Sequence, residues 1–375
     1  FLHDLVRLAP FDFGLAQHGQ SDEGRVLNTL RFGSKTGRRV LVWARQHGDE
    51  PDCTAGLNTA LHLLATQPNH RVCKAILGGL DLLVIPMMNP DGVARYTRRS
   101  AQGIDLNRDA VALASQEARA LVALKDEHHP EFCFNLHDMN SRKVSENGNL
   151  VSIAFQAGPF EVRDIDNDVR LRAKTVCGIM AQACEEVTPR AVSKYAADYM
   201  HRAFGDSMMR WGVSSILIEA GGWFEERGGD ELVRRLFALS FLRGLYAVAT
   251  REDDAVTGDH YATIPFDTGK RFADVLLEKG RLLNGAGRPP FACDVSFNLN
   301  HVTGKAGEPI VDRGVIDNLG DLEDEAAKER IDISGHVLMP GLIAIAPGIT
   351  FVADVPTAVE VASFLRAGIT TLVCG

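Results

Sequence analysis

Four short, mostly apolar runs constrain this chain most: residues 40–43 (VLVW), 82–85 (LLVI), 132–136 (FCFNL) and 215–218 (SILI). Around them lie stretches of helical periodicity at 54–66, 115–128, 170–186, 205–212 and 230–249. Strands apolar on both faces must be covered on both faces. The pattern therefore predicts an α/β fold with a mixed, mostly parallel central sheet flanked by helices.

At 251–260 (REDDAVTGDH) the alternation breaks into what reads as a charged linker. Beyond it, short segments at 273–283, 291–299, 310–319, 331–338 and 342–353 are separated by Gly, Pro, Asp and Asn, which predicts a small all-β C-terminal module. With 375 residues and roughly 150 per domain, two domains are expected, at 1–255 and 270–375. Forty-five per cent hydrophobic and 24% charged residues exclude wholesale disorder. A net charge of -9 with no basic run longer than the Arg95, Arg98, Arg99 group argues against a nucleic-acid binder. No stretch of apolar residues is long enough to span a membrane. Seven scattered cysteines without a C-x-x-C pair fit reduced, buried thiols. The expectation is a soluble, cytoplasmic protein. The chain begins at Phe1 rather than Met, which leaves open that an export signal was removed.

The chemistry lies where the apolar runs end. Residues 40–43 lead into Gln46-His47-Gly48-Asp49-Glu50, residues 132–136 into His137, and residues 215–218 into Glu219-Ala220-Gly221-Gly222. Open α/β sheets bind ligands at the carboxyl ends of their strands, and polar groups are costly to bury there without a partner. Two histidines and one carboxylate are the ligand set of catalytic zinc sites that keep a fourth position open. His47, Glu50 and His137 supply that set, leaving Glu219 as a general base. The plainer reading makes His47 a loop residue and Glu50 a charge favoured by a helix N-terminus, since H-x-x-E alone is common.

Residues 89–108 (NPDGVARYTRRSAQGIDLNR) open with turn chemistry at Asn89-Pro90-Asp91-Gly92 and close on Asp105-Leu106-Asn107-Arg108. They carry four arginines near the same edge. Arg presents a planar fork for carboxylates, although for most single arginines a solvated surface charge is the simpler account.

H-x-x-E, N-P-D-G, R…D-L-N-R, a strand-end His and a strand-end Glu in I-E-A-G occur here in that order over about 40–225. Together they resemble the zinc carboxypeptidase family M14. The resemblance implies a zinc metallocarboxypeptidase acting on the C-terminal bond of peptides, with Zn²⁺ on His47, Glu50 and His137 and Glu219 as general base. It implies that Asn107 and Arg108 hold the substrate's terminal carboxylate and that Asp105 orients His47. An upstream Arg steadies the oxyanion; Arg98 has the right spacing, with Arg99 and Arg95 as competitors. A substrate-covering Tyr is expected at Tyr199, with Tyr195 as competitor. Asp206 has two readings, a selector for basic side chains or a helix N-cap.

A related branch, the succinylglutamate desuccinylase and aspartoacylase type, implies deacylation of small N-acyl amino acids by the same machinery. Its Arg would stand where this chain has Ser100, and it usually lacks N-P-D-G. In the C-terminal module, ADVLLEKGRLLNG (273–285) and GHVLMPGLI (335–343) resemble the β-sandwich segments that flank amidohydrolase barrels, without the H-x-H of a second metal site. His301 and His336 read as structural, and the oligomeric state is not addressed by the sequence.

Overall fold

A computed structural model describes residues 1–196, 198–223, 229–255, 257–282, 289, 291–302, 311–322, 327–332, 337–338, 350–352 and 371–373. His336, Cys374 and most of the 335–343 segment lie outside them. The described residues fall into two units, Phe1–Lys270 and Arg271–Gly375.

The first unit runs α1 (Leu2–Leu8), β1 (Ala16–Gln20), β2 (Val26–Gly33), β3 (Arg38–Ala44), α2 (Pro51–Thr66), α3 (Arg71–Gly79), β4 (Leu80–Ile85) and α4 (Pro90–Arg95). It continues through α5 (Gln116–His128), β5 (Phe132–Asp138), β6 (Lys143–Ser145), β7 (Ile153–Ala157), α6 (Asp168–Glu185) and β8 (Val192–Lys194). Then come α7 (Phe204–Arg210), β9 (Ser214–Ala220), α8 (Gly229–Thr250), α9 (Asp259–Thr263) and β10 (Asp267–Arg271). Eight strands form one sheet in the order β1-β2-β4-β3-β5-β9-β7-β8. It is parallel from β4 through β9 and at β7–β8, and antiparallel at β1–β2, β2–β4 and β7–β9.

Side-chain alternation sends each central strand into two cores. Val40, Val42, Phe134, Ile216 and Ile218 pack with Leu57 and Leu61 of α2, Met180 of α6 and Phe237 of α8. Leu41, Trp43, Leu83 and Cys133 pack on the other face with Leu121 of α5 and Met208 of α7. That double burial is why the central runs read as continuously apolar. The same alternation puts His137 and Glu219 out of step with Leu136 and Ile218, toward the α5 and α7 side.

Two sequence expectations need correction. Residues 251–260 are no linker. Asp253 is buried and accepts from Arg38 Nη1 at 2.7 Å, a charge buried only because it is paired. Tyr261 and Ile264 are buried in the α2–α6–α8 core, and the Tyr261 hydroxyl accepts from Ala157 N at 3.2 Å. The first unit therefore extends past 255, to Lys270. Nor is N-P-D-G a free turn: it starts α4, with Asn89 Oδ1 accepting from Gly92 N at 2.9 Å and Pro90 at the first helical position, where a missing N–H costs nothing.

In the second unit β11 (Ala273–Leu282), β12 (Phe291–Val302), β13 (Val311–Gly320), β14 (Ala327–Asp332) and β15 (Val337–Leu338) form one sheet. Val275 and Leu277 of β11 lie opposite Phe297 and Val295 of β12, all four buried. A parallel pair, β16 (Thr350–Val352) and β17 (Thr371–Val373), completes the described strands. The six described cysteines are free and buried. Among the described residues no helix is long and apolar enough to cross a membrane.

Candidate metal centre

The site is built at the carboxyl ends of β3, β5 and β9. After Ala44 the chain turns sharply at Arg45, whose φ of 58° lies in the left-handed region. It then passes His47 and enters α2 with Glu50 in the N-cap position. Glu50 does not cap its own helix. Asp138, the last residue of β5, does so instead: its carboxylate accepts from Asp52 N and Cys53 N, each at 2.6 Å. That division of labour frees Glu50 to turn toward His47 and His137.

The donors converge. Glu50 Oε1 lies 2.6 Å from His47 Nδ1, Glu50 Oε2 lies 2.7 Å from His137 Nδ1, and the two Nδ1 atoms are 3.2 Å apart. All three side chains are buried, and they are the only such group among the described residues with ligand atoms within 4.8 Å of one another. Tetrahedral zinc with nitrogen ligands at about 2.0–2.1 Å would hold them about 3.3–3.4 Å apart. His47 Nε2 lies 3.1 Å from Asp105 Oδ1, which keeps the proton on Nε2 and turns the Nδ1 lone pair inward. The donor set and its spacing fit zinc.

The electrostatics agree. Burial works against charge on Glu50, but His137 and then His47 beside it hold the carboxyl below its ordinary range. Burial lowers His137. At His47 burial is outweighed by Asp105 and Glu50, which raise it. Asp105 is held low by His47 and then Arg98 against the effect of burial.

Glu219 is the register partner of His137 on the adjacent parallel strand. It is buried, and its Oε2 has no hydrogen-bond partner among the described residues. Burial, then Glu50 and Asp138, push its carboxyl well above the ordinary range. A carboxylate with high proton affinity is what a proton acceptor requires.

Of the three candidate arginines only Arg98 enters the site. Its Nη1 lies 3.3 Å from His47 Nδ1 and 3.5 Å from Glu50 Oε1, and its Nε donates to Asp105 Oδ2 at 3.1 Å. Arg95 is held by Glu23, and Arg99 donates to Gly103 O. Asn107 and Arg108 follow on a single 3-10 turn. Asn107 Oδ1 accepts from Phe204 N at 3.0 Å, tying the turn to the start of α7. Arg108 Nη1 donates to Asn107 O at 2.7 Å.

Both candidate tyrosines border one hollow. Tyr199 lines a hollow of about 540 Å³ against α6 and α9. Tyr195 also borders it, and Glu219, ahead of burial, raises the Tyr195 phenol. Asp206 is not the N-cap of α7. It sits in the first turn, buried, and its Oδ2 accepts from Met200 N at 2.7 Å. Ser100 closes its own loop by accepting from Ile104 N.

Two residues escaped the sequence reading. Asp138 was hidden beside the conspicuous His137, although strand alternation alone would turn it toward α2. Asn89 was read as turn chemistry. Buried, it donates through Nδ2 to Gln46 O and Arg98 O, both at 3.3 Å, and so ties the His47 loop to the Arg98 loop.

A family model described as zinc carboxypeptidase matches residues 1–135, which carry His47, Glu50, N-P-D-G and D-L-N-R. Over those residues, 135 of 375, the chain is similar to the zinc carboxypeptidase family. The match ends just before His137, so that residue and Glu219 join His47 and Glu50 through the geometry above. A probable carboxypeptidase 2 of Trichophyton verrucosum (strain HKI 0517) is 30% identical over 151 residues, covering 37% of this chain and 29% of that protein. Carboxypeptidase 2 of Trichophyton tonsurans is 32% identical over 135 residues, 33% of this chain and 24% of that one. The chain thus spans less than a third of these relatives' length. Among solved structures, a metallo-carboxypeptidase from Burkholderia cenocepacia superposes with a TM-score of 0.54 at 20% identity, covering 67% of this chain and 68% of that one. Carboxypeptidase A from Helicoverpa armigera gives 0.54 at 18%, covering 68% and 72%. At such identities these structures speak for the carboxypeptidase fold alone.

Proposed function

We propose that this protein is a zinc metallocarboxypeptidase that hydrolyses the C-terminal peptide bond of peptides. The observation that carries the reading is the convergence of His47 Nδ1, His137 Nδ1 and both Glu50 oxygens beside Glu219, the register neighbour of His137. His47, Glu50 and His137 would hold the zinc, which when bound supplies a Lewis acid for the scissile carbonyl and makes water more acidic.

The chain's own residues do the rest. Glu219 takes the proton of the attacking water and delivers it to the leaving amine. Arg98, already aimed at the metal ligands, donates to the oxygen on which negative charge develops. Asn107 and Arg108 grip the free carboxylate, and their anchorage on Phe204 N and on the backbone of the same turn sets the distance from that carboxylate to the scissile bond. Tyr195, whose phenol Glu219 raises, is the tyrosine that the reading assigns to cover bound substrate.

The test is hydrolysis of a peptide with a free C-terminus, the same peptide amidated, and N-acetyl or N-succinyl amino acids. Cleavage of the first alone is expected; turnover confined to the N-acyl amino acids would overturn the peptidase reading. Glu219→Gln should keep its zinc, measured by metal analysis, and lose activity by about 10²–10⁴-fold. Wild-type rates in that variant would remove Glu219 from the mechanism.

A further inference from the structure

Residues 264–271 follow α9 and bring a chain segment back against the wall that carries Tyr195. Lys194 N donates to Pro265 O at 2.7 Å, Glu146 N to Phe266 O at 2.9 Å, and Phe266 N to Glu146 Oε2 at 3.0 Å. Strand β10 then pairs with β6, and Thr268 Oγ1 donates to Val144 O at 2.8 Å. At the centre lies Asp267, 4% exposed. Its Oδ1 accepts from Ala196 N and its Oδ2 from Lys143 Nζ, each at 2.6 Å. The same Lys143 ammonium lies 5.4 Å from the centroid of the Tyr195 ring.

Tyr195 is therefore held twice by one ion pair. The carboxylate fixes the peptide N–H just after it, and the ammonium sits over its ring, an attraction worth most where water is excluded. Neither charge suits this position alone: without Lys143 a buried carboxylate would lack its counter-ion. The ion pair stands beside the backbone pairing of β6 with β10. What it adds is a fixed placement of Tyr195, the tyrosine whose ionisation Glu219 opposes.

We propose that Asp267 and Lys143 are positioning residues for Tyr195, and that the segment at the end of the first unit thereby completes the substrate-covering wall. The substrate-covering part rests on the carboxypeptidase reading; the placement of the ring does not.

The experiment uses the full chain. With five tyrosines, ring-labelled protein gives few signals, and Tyr195→Phe assigns the one of interest. Asp267→Ala and Lys143→Met should shift that signal, and Lys143→Arg should restore it. On a peptide with a free C-terminus, Asp267→Ala should raise KM about tenfold, the cost of ordering a released side chain on binding, with kcat and zinc content nearly unchanged. In a Tyr195→Ala background the same substitution should add less than about twofold. An unshifted ring signal overturns the proposal, as does a KM penalty that persists in full without Tyr195. Should Asp267→Ala fold poorly, Asp267→Asn keeps an acceptor for Ala196 N while removing the ion pair, and is read in the same way. A zinc-loaded wild type that cleaves no peptide would sink the carboxypeptidase reading, and the ring signal would still decide the clasp.

Discussion

At the scale of single residues the site depends on groups that never touch substrate. Asp105 receives His47 Nε2, Arg98 Nε and Asn107 N, so one carboxylate aligns the three groups to which the proposed function assigns the metal, the oxyanion and the substrate's carboxylate. Asp105→Ala should weaken zinc binding about 10–100-fold, as a competition titration with a chelator would show. A second prediction concerns Asp206, whose carboxyl burial pushes up to about 6, with Met200 N pulling against it. Because this folded value lies above the unfolded value of about 3.9, the group's contribution to stability is complete below about pH 3.9 and is lost as pH rises through about 6. Urea unfolding of wild type and Asp206→Asn from pH 4 to 7 should show the difference shifting toward the Asn variant up to about pH 6 and levelling above it. A pH-independent difference would mean that Asp206 is not titrating there.

At the scale of elements, the metal loop is held by close backbone contact. A Cβ on Gly48 would stand 2.0 Å from the carbonyl carbon of Gly92, so the loop carrying His47 lies directly on α4. Gly48→Ala should cost about 1–3 kcal/mol in urea unfolding and lower zinc affinity in the same protein; unchanged metal binding would show that the loop is not set by this contact. The elements legible beforehand were β3, β4, β5 and β9, because burial on both faces makes a strand continuously apolar. The outer strands were not: β2 (VLNTLRFG) mixes buried and exposed positions, and β8 has only three residues. His47, Glu50, His137 and Glu219 were legible as polar residues ending apolar runs. Asp138, Asn89, Asp267 and Lys143 were not, because each acts through partners that only the folded chain brings near.

At the scale of the molecule, the boundary drawn from composition fell too early. Charged residues at 251–254 look like a linker in one dimension, yet Asp253 completes the Arg38 pair and the chain beyond it buries Tyr261 and Ile264. A fragment ending at 255 should be markedly less stable than one ending at 270, since Tyr261 and Ile264 alone contribute roughly 1.5–3 kcal/mol each. Thermal unfolding of the two fragments checks this, and equal midpoints would restore the earlier boundary. The strand order also carries a consequence for how the protein comes into being. His47, Glu50 and His137 have all been synthesised by the end of β5, which pairs directly with the earlier strand β3. Glu219 comes later, on β9, which must insert between β5 and β7. A chain emerging from the ribosome thus has all three donors of the candidate metal centre before Glu219 exists, and on the proposed reading it would be able to hold its ion while still chemically silent.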